Sequence, residues 1–124
     1  MAKYSADEQV LMALYAEWLS DEPDFRRVNA INLQMDPDKY LWALMKLKKS
    51  GYIEGIDWKP EYATVPEQVA VLDTAYMSIS AKGVERAAEI VGAGKKRAYE
   101  VLSVIGGIFR DLGIAAFSGM ITLG

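Results

Sequence analysis

The spacing of apolar residues predicts a helix near the start of the chain, over about Ser5 to Ser20. Ser5 and Glu8 have the spacing of a capping box, in which each side chain accepts a hydrogen bond from the other residue's backbone N–H. The residues Asp21-Glu22-Pro23-Asp24 then end the helix. The apolar side chains that share one helical face are Val10, Leu11, Leu14, Tyr15, Trp18 and Leu19.

Two further helices are predicted before any strand. The second spans about Asp24 to Gln34, with Phe25, Val28, Ile31 and Leu33 as its apolar positions. The third begins with Asp36 as N-cap and Pro37 at the first helical position, runs to Ser50 and ends at Gly51. Its buried side is expected to carry Tyr40, Leu41, Leu44 and Leu47, with Met45 at the margin.

Alternating residues predict two strands after these helices. The first is Tyr52 to Trp58, closed by Pro60, and the second is Ala75 to Ile79. An acidic connection over 59–74 separates them. Ser80 caps a fourth helix, Ala81 to Val91, which ends at Gly92-Ala93-Gly94. The sequence therefore predicts an α+β fold: a winged helix-turn-helix domain over 1–92, with three helices, a two-stranded wing and a fourth helix.

Residues 93–124 are predicted to add an apolar C-terminal helix to this domain. From Lys95 to Leu112 one face is apolar, and we expect it to make the protein a homo-oligomer. Packing on the chain's own domain and association with a membrane are the alternatives, and Arg110 and Asp111 disfavour a bilayer-spanning segment. The expected oligomerisation residues are Val101, Leu102, Ile105, Ile108, Phe109 and Leu112.

Composition removes several kinds of chemistry. The chain of 124 residues has no cysteine and no histidine, which excludes disulfides, thiolate metal sites and every catalytic site built on histidine. No metal site and no cofactor is expected, and we expect a protein that is not an enzyme. The start of the chain lacks a signal-peptide pattern, so a cytoplasmic location is expected. The acidic residues of 7–24 are expected to form a solvated face.

Two short segments resemble a known family. One is Leu44-Met45-Lys46-Leu47-Lys48-Lys49-Ser50-Gly51-Tyr52-Ile53-Glu54-Gly55, and the other is Ile79-Ser80-Ala81-Lys82-Gly83-Val84-Glu85. Together they are similar to the end of the third helix and the return from the wing in the YjcQ-type winged helix-turn-helix proteins of Gram-positive bacteria and their phages. The resemblance covers about residues 5–90 and implies a winged-helix fold.

The third helix carries the candidate DNA-binding residues. The net charge is −3, but residues 39–59 hold five lysines against Glu54 and Asp57. In a helix-turn-helix this helix enters the major groove, where lysines contact phosphates and an aromatic ring packs on sugar or a thymine methyl group. The alternative is that Trp42 packs under the wing or on a partner while the lysines solvate the helix. The residues on its exposed face are Lys39, Trp42, Lys46 and Lys49.

Further candidates flank this helix. Arg26 and Arg27 open the second helix, where they would contact phosphates or offset the acidic residues beside them. Trp58 and Lys59 begin the wing and would reach a groove, although Trp58 is better placed to cap the core. Two functions therefore remain: a dimeric transcriptional regulator that binds double-stranded DNA, or a protein-interaction module, such as a phage-encoded inhibitor of a host or anti-phage defence protein.

Overall fold

A computed structural model describes residues 4–59, 71–73 and 75–112 of the chain. The fold is α+β, and its order of helices, antiparallel hairpin and helix is compatible with a winged helix. Its helices are α1 (Ala6–Leu19), a 3-10 helix (Phe25–Arg27), α2 (Pro37–Lys49), α3 (Ala81–Val91) and α4 (Ala98–Asp111), and its strands are β1 (Ile53–Glu54), β2 (Asp57–Lys59), β3 (Val71–Asp73) and β4 (Ser78–Ile79).

Helix α1 is the centre of the core. Its predicted capping box is confirmed, since Glu8 N–H donates to Ser5 Oγ and Ser5 N–H donates to Glu8 Oε1 at 3.0 Å. The eight consecutive residues Val10–Glu17 are all buried, rather than one face of the helix alone. This happens because α2, α3, α4 and β4 all pack against α1. The middle of α1 is therefore apolar around its circumference, with Glu17 as the exception.

The predicted second helix, Asp24 to Gln34, is wrong. The structure has only the 3-10 helix Phe25–Arg27 and a turn after it. Asparagine side chains explain the interruption, because Asn29 Oδ1 accepts from Asn32 N–H at 2.8 Å and Asn32 Nδ2 donates to the Arg27 carbonyl at 2.7 Å. Such bonds give the backbone an alternative to helix. Gln34, with φ of 51°, then closes the turn.

Helix α2 forms as the sequence predicts. Asp36 Oδ1 accepts from the backbone N–H groups of Asp38 and Lys39, and Pro37 occupies the first helical position. Gly51 follows the helix with φ of 78°, as expected for its left-handed end. The buried side differs in detail. It is made of Ala43, Leu44 and Leu47, whereas Tyr40, Leu41 and Met45 are partly buried.

The strands form one interrupted hairpin. The predicted pairing of 52–58 with 75–79 holds for β1 and β4, in which Ile53 lies opposite Ile79. It is wrong for the rest, because β2 pairs with β3 and Trp58 lies opposite Leu72. Between the two ladders Gly55 lies against the Tyr76 carbonyl, so close that a Cβ on Gly55 would come within 1.9 Å of that oxygen. The chain bends there instead of continuing one strand.

Helix α4 packs on its own domain, which corrects the expected use of its apolar face. Four of the six residues assigned to oligomerisation are buried within the chain, and Ile108 and Leu112 pack against the same core. The face contacts α1 and α3. The alternative of packing on the chain's own domain is therefore the correct one for this helix. Among the described residues, no helix has the length and hydropathy needed to cross a membrane. The buried four are Val101, Leu102, Ile105 and Phe109.

Glu17 is a second correction, because its side chain is fully buried rather than part of a solvated acidic face. One oxygen, Oε1, accepts from Asp24 N–H at 2.9 Å. The other, Oε2, is buried with no hydrogen-bond partner among the described residues. Desolvation raises the pKa of Glu17, and the Asp24 N–H and the positive charge of Arg27 oppose this in part.

Candidate nucleic-acid interface

The exposed side of α2 presents one line of lysines with a tryptophan inside it. We call Lys39, Trp42, Lys46 and Lys49 the basic stripe. Their spacings of three, four and three residues place them on one helical face. All four are exposed, with 65% of the Trp42 surface accessible. The opposite side of α2 packs on α1 through Leu44 and Leu47, so the stripe must face outward.

Two lysines of α2 have partners. Lys46 Nζ lies 3.7 Å from Asp7 Oδ2 on α1, although the lysine side chain stays 70% exposed. Lys48, which lies off the stripe, donates from Nζ to the Ile56 carbonyl at 2.8 Å and so ties α2 to the hairpin. Within the described residues, Lys39 and Lys49 have no ion-pair partner. Counted over the described residues, the stripe therefore offers two unpaired cations and one partly neutralised cation.

The two arginines of the 3-10 helix both act on nearby carboxylates, Arg26 on Asp24 and Arg27 on Glu17. Arg26 forms a two-point contact with Asp24, with Nε 3.0 Å from Oδ1 and Nη2 3.3 Å from Oδ2. This contact lowers the pKa of Asp24 and raises that of Arg26. Arg26 therefore offsets a neighbouring carboxylate, which was the alternative to a phosphate contact. Arg27 is exposed, and its charge acts on Glu17.

The wing candidates are placed only in part. Trp58 and Lys59 belong to β2, paired with Leu72 and Val71 of β3. Their side chains and most of the 59–74 connection lie outside the described residues. Their contact with a ligand therefore stays a prediction.

One cation near the stripe was missed by the sequence analysis. Lys82, in the first turn of α3, is exposed and lies beside Gly51 at the end of α2. It is 33 residues after Lys49 in the chain, so no local spacing pattern reveals it. The Ile79-Ser80-Ala81-Lys82-Gly83 segment did predict that a helix starts here after the second strand. It did not predict that Lys82 would lie beside Gly51.

A groove of about 660 Å³ lies between the starts of α1 and α2. Its charged walls are Glu8, Asp36 and Lys39, and both carboxylates are already engaged in capping α1 and α2. In the described part of the chain, no cluster of acidic side chains is arranged to hold a metal ion.

The structure thus defines a class: an α+β domain, compatible with a winged helix, whose helix before the hairpin exposes a basic and aromatic face. The chain matches no protein-family model, no curated protein and no solved structure.

Proposed function

We propose that this chain is a cytoplasmic, non-catalytic winged-helix protein that binds double-stranded DNA through the basic stripe of α2. One observation carries the proposal: Trp42 is 65% exposed and lies between Lys39 and Lys46 on a helix whose other side is buried. A largely exposed tryptophan is unusual on a protein surface, and tryptophan is enriched among the residues that contribute most to binding at interfaces.

The chemistry of the stripe fits the DNA backbone better than base edges. Lysine ammonium groups contact phosphates, and an indole ring packs on sugar or a thymine methyl group. The stripe has no arginine, asparagine or glutamine, which are the side chains that most often read bases. We therefore expect binding with little sequence preference. Formation of a dimer is not part of the proposal, because the face of α4 expected to form it lies in the core.

The test compares charge reversal on the stripe with charge reversal elsewhere. Lys46→Glu with Lys49→Glu should abolish binding to a labelled random-sequence duplex, measured by fluorescence anisotropy at low salt. The matched control is Lys95→Glu with Lys96→Glu, which changes the net charge equally at two exposed lysines before α4. Affinity of the wild-type chain should fall with salt, by a slope of about −0.9 for each phosphate contact. Equal loss in both double variants would contradict a local interface.

A second function is favoured by the acidic residues around the stripe. Recognition helices place their N-terminal residues against base edges, yet Asp36 is the N-cap of α2 and Asp38 lies in its first turn, both exposed. Asp7 also neutralises part of Lys46. A protein partner with an acidic surface and a pocket for Trp42 would tolerate these carboxylates as rim contacts. Capture of such a partner by the wild-type chain, unchanged by nuclease and lost in the Lys46→Glu, Lys49→Glu variant, would favour this function.

A further inference from the structure

The start of α3 is held tightly against the end of α2. The Ser80 hydroxyl donates a 2.6 Å hydrogen bond to the Gly51 carbonyl, and the Ser80 N–H donates to the Tyr52 carbonyl at 3.0 Å. Gly83 lies so close to Tyr52 that a Cβ on it would be 2.0 Å from the Tyr52 carbonyl oxygen. The absence of a side chain at Gly83 therefore allows the two elements to meet.

This junction brings Lys82 to the C-terminal end of α2, the end at which the basic stripe finishes with Lys49. The Lys82 Nζ lies 4.0 Å from the position that a Cβ on Gly51 would take, only two residues beyond Lys49. The same ammonium lies 5.5 Å from the centroid of the Tyr52 ring. A cation–π contact of this kind is worth about 0.5–1 kcal/mol at an exposed site, enough to favour one direction of the side chain. Lys82 remains exposed.

We propose that Lys82 is a further phosphate contact of the double-stranded DNA interface, supplied by α3 and continuous with the lysines of α2. The inference rests on the proposed function of the stripe. Two elements that present cations at one junction suit a DNA backbone, whose phosphates recur along each strand. The contact with Tyr52 biases the direction of the Lys82 side chain before binding, so less side-chain freedom is lost on contact.

A purely structural role is the competing explanation. A cation beside the C-terminus of α2 interacts favourably with the carbonyl groups at that end, and this stabilises the fold without any ligand. The two roles differ in what they change, because a structural lysine affects unfolding, whereas a phosphate contact affects the salt dependence of binding.

The test measures duplex affinity, its salt slope and thermal unfolding for Lys82→Ala, Lys82→Arg and the control Lys95→Ala. We expect Lys82→Ala to weaken binding about threefold or more and to reduce the salt slope by about 0.9, with unfolding nearly unchanged. Lys82→Arg should keep the wild-type affinity and slope, and so should Lys95→Ala.

The outcomes separate the inference from the function on which it rests. If the wild-type chain binds duplex and Lys82→Ala matches Lys95→Ala, the inference is overturned and the proposed function stands. If Lys82→Ala lowers the unfolding temperature while affinity and slope are kept, the structural role is correct. If the wild-type chain binds no duplex at low salt, the proposed function itself fails, and the inference fails with it.

Discussion

Asp7 and Lys46 meet across the contact between α1 and α2, with Oδ2 of the carboxylate 3.7 Å from Nζ of the lysine. The first turn of α1 thus places a negative charge against the middle of the basic stripe. Lys46 remains 70% exposed, so water screens the pair and its strength is small. The carboxylate nevertheless competes with any phosphate for this ammonium.

Removal of this carboxylate should strengthen DNA binding. Asp7→Asn frees Lys46, and since exposed ion pairs are worth about 0.2–1 kcal/mol, duplex affinity should rise by up to about fivefold. Fluorescence anisotropy at constant salt measures the change. Asp111→Asn is the matched control, because it removes one charge from an exposed position on α4. The same gain in both variants would assign the effect to net charge alone.

Glu17 should make stability depend on pH in a direction opposite to that of most carboxylates. Its pKa is raised above its ordinary value of 4.5 because burial penalises the charged form. The protonated form is therefore favoured in the folded state. The stabilisation from protonated Glu17 is fully present below the pKa that Glu17 has in the unfolded state. It is lost as pH rises through the pKa that Glu17 has in the folded state.

Glu17→Gln removes this titration and leaves a neutral side chain of similar shape. Its stability relative to the wild-type chain should therefore rise as pH increases from about 4 to 7, in urea unfolding measured at both values. Glu22→Gln, at an exposed position in the same region, should show no such trend. A constant difference between Glu17→Gln and the wild-type chain would mean that Glu17 titrates normally.

Phe109 should act on folding and not on association. It is fully buried within the chain, and Phe109→Ala should lower the free energy of unfolding by about 3–5 kcal/mol. Ile105→Val, also fully buried, should cost about 0.5–1.5 kcal/mol and keeps the protein folded for comparison. For both the wild-type chain and Ile105→Val, unfolding midpoints should be independent of protein concentration. An unfolding midpoint that rises with protein concentration would indicate that this helix forms an oligomer interface after all.

The junction between α2 and α3 should be intolerant of one added methyl group. Gly83→Ala would bring Cβ to 2.0 Å from the Tyr52 carbonyl oxygen, so the helix must shift, at a cost of about 1–3 kcal/mol. Gly107, in the middle of α4, has nothing within 4 Å of the position of an added Cβ. Gly107→Ala should therefore stabilise the protein by up to about 1 kcal/mol, through helix propensity. Equal changes in the free energy of unfolding for Gly83→Ala and Gly107→Ala, measured in urea, would show that Gly83 is not closely packed against Tyr52.

Local signals in the sequence predicted the ends of the helices well. Ser5, Asp36 and Ser80 cap the helices that they were expected to cap, because a cap depends on neighbours within three residues. The prediction of a second helix over 24–34 was wrong, and the reason is again a hydrogen bond between near neighbours in the chain. Asn29 and Asn32 bond to the backbone in a way that the apolar spacing of 24–34 does not reveal.

Tertiary relationships were predicted less well. Glu17 lies seven residues after Val10 and three after Leu14, so helical spacing alone could have placed it on the buried face. The apolar face of α4 was predicted correctly as a face. Periodicity cannot say what covers such a face, and α1 covers it here. Lys82 approaches Gly51 only because two distant segments pack together.

The basic stripe of α2 is the proposed contact surface for duplex DNA. An NMR titration of the labelled chain with a short duplex separates this surface from others, because Trp18, Trp42 and Trp58 belong to three different elements, α1, α2 and β2. We expect the Trp42 indole and the backbone signals of 39–49 to shift together, while the Trp18 indole on α1 does not shift. A Trp58 shift would extend the contact to the wing. Unchanged Trp42 signals at saturating duplex, or shifts confined to other helices, would contradict DNA binding through the basic stripe.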